Sequence, residues 1–481
     1  MRAVWLLLLV GASCGEAVEP TPLPAVPLAD TSPIEPPPQV APTVAPEVPG
    51  EDIADIREIP QSLQALAAKA PDSLWVSDTL VHHAQTLRAR FYAPWSRKRT
   101  GHTAIHLSAV FARYGKRTLW GQDLRPRMPG WVEGLLENAQ LAAFPNVERR
   151  GVTVRHVAVR FLPSSQPGFE DPSKPGEGFP FDYLQASLLQ AGTPVYIVHQ
   201  SKDGAWFFVE SHLVNGWVLS QDIAFADAAF VAKYHTETLQ VMLADGVPLW
   251  DVHGLHRGLT RVGQRLPQSK DGMSVLVPAR DAVGLAVATA VPTPELSHSI
   301  PMAGDAPSMA IIGDRLLGQA YGWGGTLEDR DCSATLADLF TTVGIALPRH
   351  SGNQAKVGTW VDLTGLEGAA KEAAIVAEGI PFATLIWKPG HIMLYVGVSD
   401  DGRPLVFHTM WGVKTRAPGA DALGRKVVGR TVITTLEPGR ERADFDATQS
   451  LLHGTRGMTL LAARPLPVQA METLPATQIG P

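Results

Sequence analysis

The sequence predicts an α+β multidomain protein: a helical N-terminal region, two small β-barrels and a mixed domain near the C-terminus. Three observations carry that prediction. The chain has 481 residues, too many for one ordinary hydrophobic core. Apolar residues recur at helical spacing up to about residue 148, then give way to short alternating runs broken by Gly, Pro, Asp and Ser. Beyond residue 300, a cysteine opens a helical pattern and two histidines fall on strand patterns.

Composition narrows the class. Hydrophobic residues make up 45% and charged residues 18%, the balance of a folded globular protein. A net charge of −6 argues against a dedicated nucleic-acid binder, and the longest basic block, Arg97-Lys98-Arg99, reads as a solvated turn. No run of 18 apolar residues predicts a membrane-spanning helix.

The first fifty residues read as export and tether. Arg2 precedes an apolar run at residues 3–10 that is too short to span a bilayer. Gly11-Ala12-Ser13 then place small residues before Cys14, which resembles the lipobox of bacterial lipoproteins with Gly11 in place of a larger aliphatic residue. That resemblance implies a signal peptide at residues 1–14, a lipid on Cys14 and attachment to a membrane. Gly15 after the cysteine is similar to outer-membrane sorting. The expected location is the periplasmic face of the outer membrane in a Gram-negative host, and the cell surface otherwise. Residues 15–50 hold eleven of the forty prolines. They favour extended polyproline II, in which about thirty residues reach roughly 90 Å.

The folded part divides by texture. Residues 51–148 are expected to be helical, with apolar spacing over 62–70 and 77–91 and a break at Pro94. His102 and His106 lie four apart, but Thr103 replaces the glutamate of a zinc-peptidase motif, so the pair is read as structural. Residues 149–227 carry β-rich runs at 152–155, 195–198, 206–209 and 216–218, the pattern of a small barrel. A second, weaker barrel is expected over residues 228–300, with strands near 239–241, 247–249 and 273–277. Residues 301–436 carry the chemistry. Residues 437–481 are expected to be a C-terminal extension with one apolar patch at 458–463 and a Pro-rich end.

Cys332 is the centre of that chemistry. If Cys14 is lipidated, Cys332 has no partner for an internal disulfide. Asp329 or Asp331 can cap a helix beginning there, and Leu336, Leu339, Phe340 and Val343 follow at the spacing of one buried face, with Gly344 as terminator. A sulfur in the first turn meets free N–H groups and the positive end of the helix dipole, which favour a thiolate. Such a nucleophile needs a base. His391 follows Pro389-Gly390 and opens the run 392–397, while His408 ends the run 405–407. Ser399-Asp400-Asp401-Gly402 is a hairpin signal between them. Adjacent strands would set the two imidazoles side by side, His391 facing Cys332 and His408 holding its ring.

The phrases Tyr321-Gly322-Trp323-Gly324-Gly325, Asp331-Cys332-Ser333, Leu347-Pro348-Arg349, Gln354, Pro389-Gly390-His391-Ile392 and Phe407-His408 resemble the NlpC-type cysteine peptidases of bacterial cell walls. The texture of residues 160–218 is similar to the SH3-like barrels found beside them. The resemblance implies a papain-like catalytic domain preceded by two SH3-like β-barrels and a helical N-terminal region. It also implies cleavage of peptidoglycan stem peptides, commonly between D-γ-glutamate and the diamino acid, by Cys332, His391 and His408 through a thioester. By the same resemblance Tyr321 and the Cys332 N–H serve the oxyanion, and Ser333 and Ser351 are substrate contacts. Relatives that require a free N-terminal L-alanine carry an aspartate after the arginine of Leu-Pro-Arg. His350 stands there instead, so Asp182 or Glu177 of the first barrel is a candidate for the missing charge. Trp323 and Trp411 are read equally as groove or packing residues. No metal or organic cofactor is implied, the partner is a muropeptide or intact peptidoglycan, and a monomer is expected. The rival readings are an inactive wall-binding lipoprotein and a papain-like acyltransferase.

Overall fold

Short amphipathic helices open the chain: α1 (Ala54–Glu58), α2 (Leu63–Ala67), α3 (Ser77–Tyr92), α4 (Ala104–Gly115) and α5 (Trp131–Asn138). The computed structural model describes residues 53–462 apart from 72 and 76. The expected signal peptide, Cys14 and the proline-rich segment lie outside the described residues. The helices do not pack into a layer of their own. Leu63, Leu74, Trp75 and Leu80 enter one core with Leu336, Leu339 and Phe340. Leu87, Phe91, Tyr92 and Trp95 enter a second with Phe230, Tyr234 and Leu276, and Leu107, Phe111 and Tyr114 a third with Trp206, Phe208 and Trp217. Each face is apolar because a different neighbour covers it, so this region braces the rest.

The first β unit is a seven-stranded antiparallel sheet. Its strands are β1 (Arg149–Thr153), β2 (Val157–Arg160), β3 (Gln185–Leu189), β4 (Pro194–Gln200), β5 (Trp206–Glu210), β6 (Asn215–Leu219) and β7 (Ile223–Phe225), in the order β3-β2-β6-β5-β4-β1-β7. The loop between β2 and β3 is long and carries Glu177 to Tyr183 toward the last domain. After α6 (Ala228–Tyr234) come β8 (Leu239–Met242), β9 (Pro248–Trp250), β10 (His256–Leu259), β11 (Arg265–Pro267), β12 (Ser274–Arg280), β13 (Ala286–Pro292) and β14 (Ser297–Ser299). These form three small sheets around Met242, Leu249, Leu266, Val275, Val277 and Val291.

The last unit packs α7 (Ala306–Leu316) and α8 (Cys332–Thr342) on a six-stranded antiparallel sheet. Its strands are β15 (Thr359–Asp362), β16 (Thr384–Lys388), β17 (His391–Val398), β18 (Pro404–Thr415), β19 (Gly424–Thr434) and β20 (Gly457–Leu460), with α9 (Ser351–Gln354) before β15 and α10 (Gly368–Glu378) after it. The order is β15-β20-β16-β17-β18-β19. Two expectations change here. The apolar patch near residue 458 belongs to no extension, because β20 lies inside the sheet between β15 and β16. And β18 does not end at His408 but runs on to Thr415, pairing with β19 along its length. A four-residue strand, and a strand rich in Thr and Gly, both lack a strong apolar period.

Candidate active site

Three local rules place Cys332. Asp331 caps α8, its Oδ1 accepting the Ala334 N–H at 2.9 Å. Leu336, Leu339, Phe340 and Val343 are wholly buried and hold the helix on the sheet, and Gly344, at φ +84°, ends it. Before the helix, Gly324 and Gly325 take positive φ where a side chain would strike Gln185 and Leu188 of β3. The turn can therefore lie against the barrel, where Gln185 Nε2 donates to Gly324 O at 3.1 Å.

The Asp331 carboxylate is itself locked. Arg349, fully buried, donates to Asp331 Oδ2 and to Ser333 Oγ, and its Nε donates to Ser187 Oγ of the barrel at 3.0 Å. Gly324 N–H donates to the same Oδ2 at 3.1 Å. Gln354 Nε2 holds the Ser333 and Pro348 carbonyls at 2.8 and 3.0 Å. Arg349 and Gln354 thus fix the first turn of α8. Sequence reasoning missed this role, since nothing in the spacing pairs residue 331 with residue 349.

The thiol is not the resting thiolate that a helix N-terminus favours. Burial pushes Cys332 up to about 12, and the Asp331 carboxylate adds to it. The N–H groups of Ile392 and Ser333 bond the sulfur and Arg349 stands near, all opposing, but burial wins. The cap that stabilises the helix sets a negative charge beside the thiol. Cys332 rests as a thiol.

The imidazoles face each other across β17 and β18, with His391 Nε2 and His408 Nδ1 2.8 Å apart. Hydrogen-bond accounting fixes their protons. Thr434 Oγ1 donates its one hydrogen to Thr435 O at 2.7 Å. It therefore accepts from His408 Nε2, 3.0 Å away. Burial takes His408 down to about 3, so the ring is neutral and its Nδ1 is bare. That nitrogen accepts from His391 Nε2–H. His391, held well below its usual value by burial and by His408, is left with an unprotonated Nδ1. That nitrogen is free to take a proton.

Both rings titrate below their unfolded value of about 6.5. The native state thus binds fewer protons than the unfolded chain below that pH, so stability is full above about pH 6.5 and drains as pH falls toward 3. The expected loss is roughly 1–2 kcal/mol per pH unit for each such imidazole. Urea midpoints at pH 7.5 and pH 5 measure it, and equal midpoints would contradict neutral buried rings.

Residues 318–418 match the NlpC/P60 family, residues 3–144 the N-terminal stabilising domain of that family, and residues 167–219 an SH3 domain of the SH3b1 type. The domain that holds Cys332 belongs to the NlpC/P60 family. An NlpC/P60 endopeptidase from Photobacterium damselae subsp. piscicida superposes with a TM-score of 0.77 at 27% identity, over 85% of this chain and 98% of that one. An NlpC/P60 family protein from Bacillus cereus aligns at 18% identity over 66% of this chain and all of its own, with a TM-score of 0.42. No curated protein matches the sequence. The chain is a cysteine peptidase.

Around the NlpC/P60 thiol, the barrel supplies one wall. Phe181 packs against Trp323, Trp411 and Tyr321 at ring-centroid distances of 5.3, 6.1 and 6.1 Å, and Tyr183 against Trp323 at 5.8 Å. Trp323 and Trp411 are therefore packing residues of the wall, each half-buried. Tyr321 lies close enough to feel both Cys332 and Asp331, which with burial drive its hydroxyl well above the usual value, so it stays a proton donor.

Two residues expected to touch substrate are bonded within the chain. Asp182 is buried in the barrel, where Oδ2 binds Arg160 at 2.5 Å and Oδ1 accepts from Gly168 and Leu184 N–H at 2.9 and 3.0 Å. It is a buried loop clamp with both oxygens bonded inside the barrel. Asp182→Ala is accordingly expected to cost about 3–5 kcal/mol of stability by stranding the buried guanidinium. A denaturation midpoint reads this, and a rise in KM without that loss would restore the substrate role. Ser333 is likewise buried, donating to Asp331 at 3.0 Å and accepting from Arg349. Ser351 opens α9, half-buried. Glu177 accepts the Tyr183 hydroxyl at 2.9 Å. His350, at φ +74°, is taken down to about 4 by burial and Arg349, so it is neutral at pH 7. His102 pairs with Glu210 at 2.8 Å rather than with His106.

Proposed function

We propose that the protein is a peptidoglycan stem-peptide endopeptidase that cuts the D-γ-glutamyl–diamino acid bond, in a papain-like arrangement of a nucleophile helix on an antiparallel sheet. The observation that carries this reading is the ordered proton chain from Thr434 through His408 to His391. It leaves one bare ring nitrogen on His391, the residue next to Ile392, whose N–H bonds the Cys332 sulfur. Because both partners rest neutral, the thiol proton passes to His391 Nδ1 as the sulfur closes on the carbonyl carbon. The charge that develops on the carbonyl oxygen is met by the Tyr321 hydroxyl and the Cys332 N–H. His391 then gives its proton to the leaving amine, the C–N bond breaks and a thioester remains. Water, losing a proton to His391, attacks that thioester, and the sulfur departs to take the proton back.

The amino-terminal side of the cleft supports a further choice. His350 is neutral, Asp182 is buried on Arg160, and Glu177 holds the Tyr183 hydroxyl with its charge acting on Arg425, so none of these three stands unpaired for a free ammonium group. Stem peptides whose N-terminus is acylated, as it is on the glycan strand, are the preferred substrates. Export and a lipid on Cys14, on the strength of the N-terminal sequence, would hold the enzyme near such strands. The test is a digest of stem peptides with free and acetylated N-termini, and of intact sacculi, read by mass spectrometry. Expected are γ-glutamyl cleavage in all, at least as fast when acetylated, and loss after iodoacetamide. A strict need for the free amine would overturn the preference, and products joined to an acceptor other than water would make the enzyme a transferase.

A further inference from the structure

Two lysines and an arginine gather near the thiol. Lys388 ends β16 and stands opposite His391 across the two-residue turn at Pro389-Gly390. Lys414 and Arg425 stand opposite each other on β18 and β19. The Lys388 ammonium is drawn below its usual value by burial and by both other cations, and it feels the Cys332 sulfur. Arg425 lies over the Phe181 ring, 6.0 Å from its centroid, and rests against Gly176, where any Cβ would collide with it. Its Nε has no hydrogen-bond partner.

Neither lysine has a carboxylate of this chain within salt-bridge distance among the described residues, whereas Arg425, though it forms no such pair, is acted on by the Glu177 charge. Among other buried or half-buried arginines, Arg160, Arg330, Arg349 and Arg403 are each paired. Like charges gathered at the rim of a cleft repel one another, and in a chain of net charge −6 nothing in the overall balance requires them. An anionic guest relieves that repulsion. The side on which it sits follows from the chemistry. His391 Nδ1 must serve first the sulfur and then the leaving nitrogen, so its cross-strand partner Lys388 lies toward the departing half of the substrate.

We infer that Lys388 and Lys414 form a rim that binds a carboxylate carried by the leaving half of the substrate, and that this rim distinguishes a free carboxylate from its carboxamide. The inference rests on the peptidase reading above and names a specificity of the same site. These are binding residues, and the proton chain does not run through them.

The experiment uses the full chain and three synthetic stem peptides. One has all carboxylates free, one has the carboxyl of the leaving diamino acid amidated, and one has the glutamyl α-carboxyl amidated. Leaving-side amidation is expected to raise KM about tenfold with little change in kcat, and this difference is expected to shrink in high salt. In Lys388→Gln, and in Lys414→Gln at an exposed position, the acid-to-amide ratio of kcat/KM falls toward one. Equal kinetics for acid and leaving-side amide in the wild type, or a ratio that survives both substitutions, overturns the inference. So does a KM that responds only to the glutamyl α-carboxyl. If the wild type cuts none of these peptides, the peptidase reading fails separately, and calorimetry with Cys332→Ala reads the rim. Tighter binding of the acid there sustains it, and equal binding overturns it.

Discussion

Alanine at Cys332 or at His391 is expected to lower kcat on the stem peptide by about 10⁴–10⁶-fold, and the double variant to be no worse than either single one. The neutral resting pair is the reason. A thiol pushed up to about 12 is a poor nucleophile alone, and His391 alone has no bond to form. Each group acts only through the other, so removing either removes the whole covalent pathway. What survives is binding and whatever the Tyr321 hydroxyl and the Cys332 N–H give to a water attack. KM should move little, because neither side chain is needed to hold the peptide. Single-turnover product formation measures the loss. Losses that multiply in the double variant would mean that the two groups work independently, which the mechanism forbids.

The parts of this site that the sequence made legible are those set by near neighbours. An aspartate before an apolar stripe of period 3.6 announced α8, and Pro-Gly followed by an alternating run announced the turn into β17. Pairing His391 with His408 needed only one hairpin between two strands, a short-range inference. What stayed hidden is pairing at long range. Arg349 with Asp331, Asp182 with Arg160 and Thr434 with His408 are set by how separate elements meet, and a carboxylate in a sequence looks the same whether it is free or clamped.

The helical region illustrates the same limit. Its periodicity tells which face of each helix is apolar, but not that three successive stretches serve three different cores. The thiol shows a limit of another kind. The dipole argument gave a true direction, yet burial and the capping carboxylate, both invisible in the spacing, outweigh it. Position within a helix predicts the sign of one contribution. It does not predict the sum.

Thr434 is the residue through which that sum can be tested. Removing His408 altogether, as alanine, is expected to cost kcat about 10³–10⁴-fold, because the His391 Nε2–H loses its acceptor inside a buried site and the ring loses its orientation. Thr434→Val is the finer probe. Valine keeps the shape and removes the oxygen that accepts from His408 Nε2–H. Without it, His408 is free to carry its proton on Nδ1, against the Nε2–H of His391. The clash is relieved only if His391 moves its own proton to Nδ1, the atom that must stay bare to receive one. A wrong tautomer is thereby populated with no change in the cleft, so kcat should fall about 10–100-fold while KM holds. Thr434→Ser, which returns a hydroxyl, should recover most of the rate. A Thr434→Val enzyme working at the wild-type rate would show that burial alone assigns the protons. The chain from Thr434 would then be a structural bond and not part of the base.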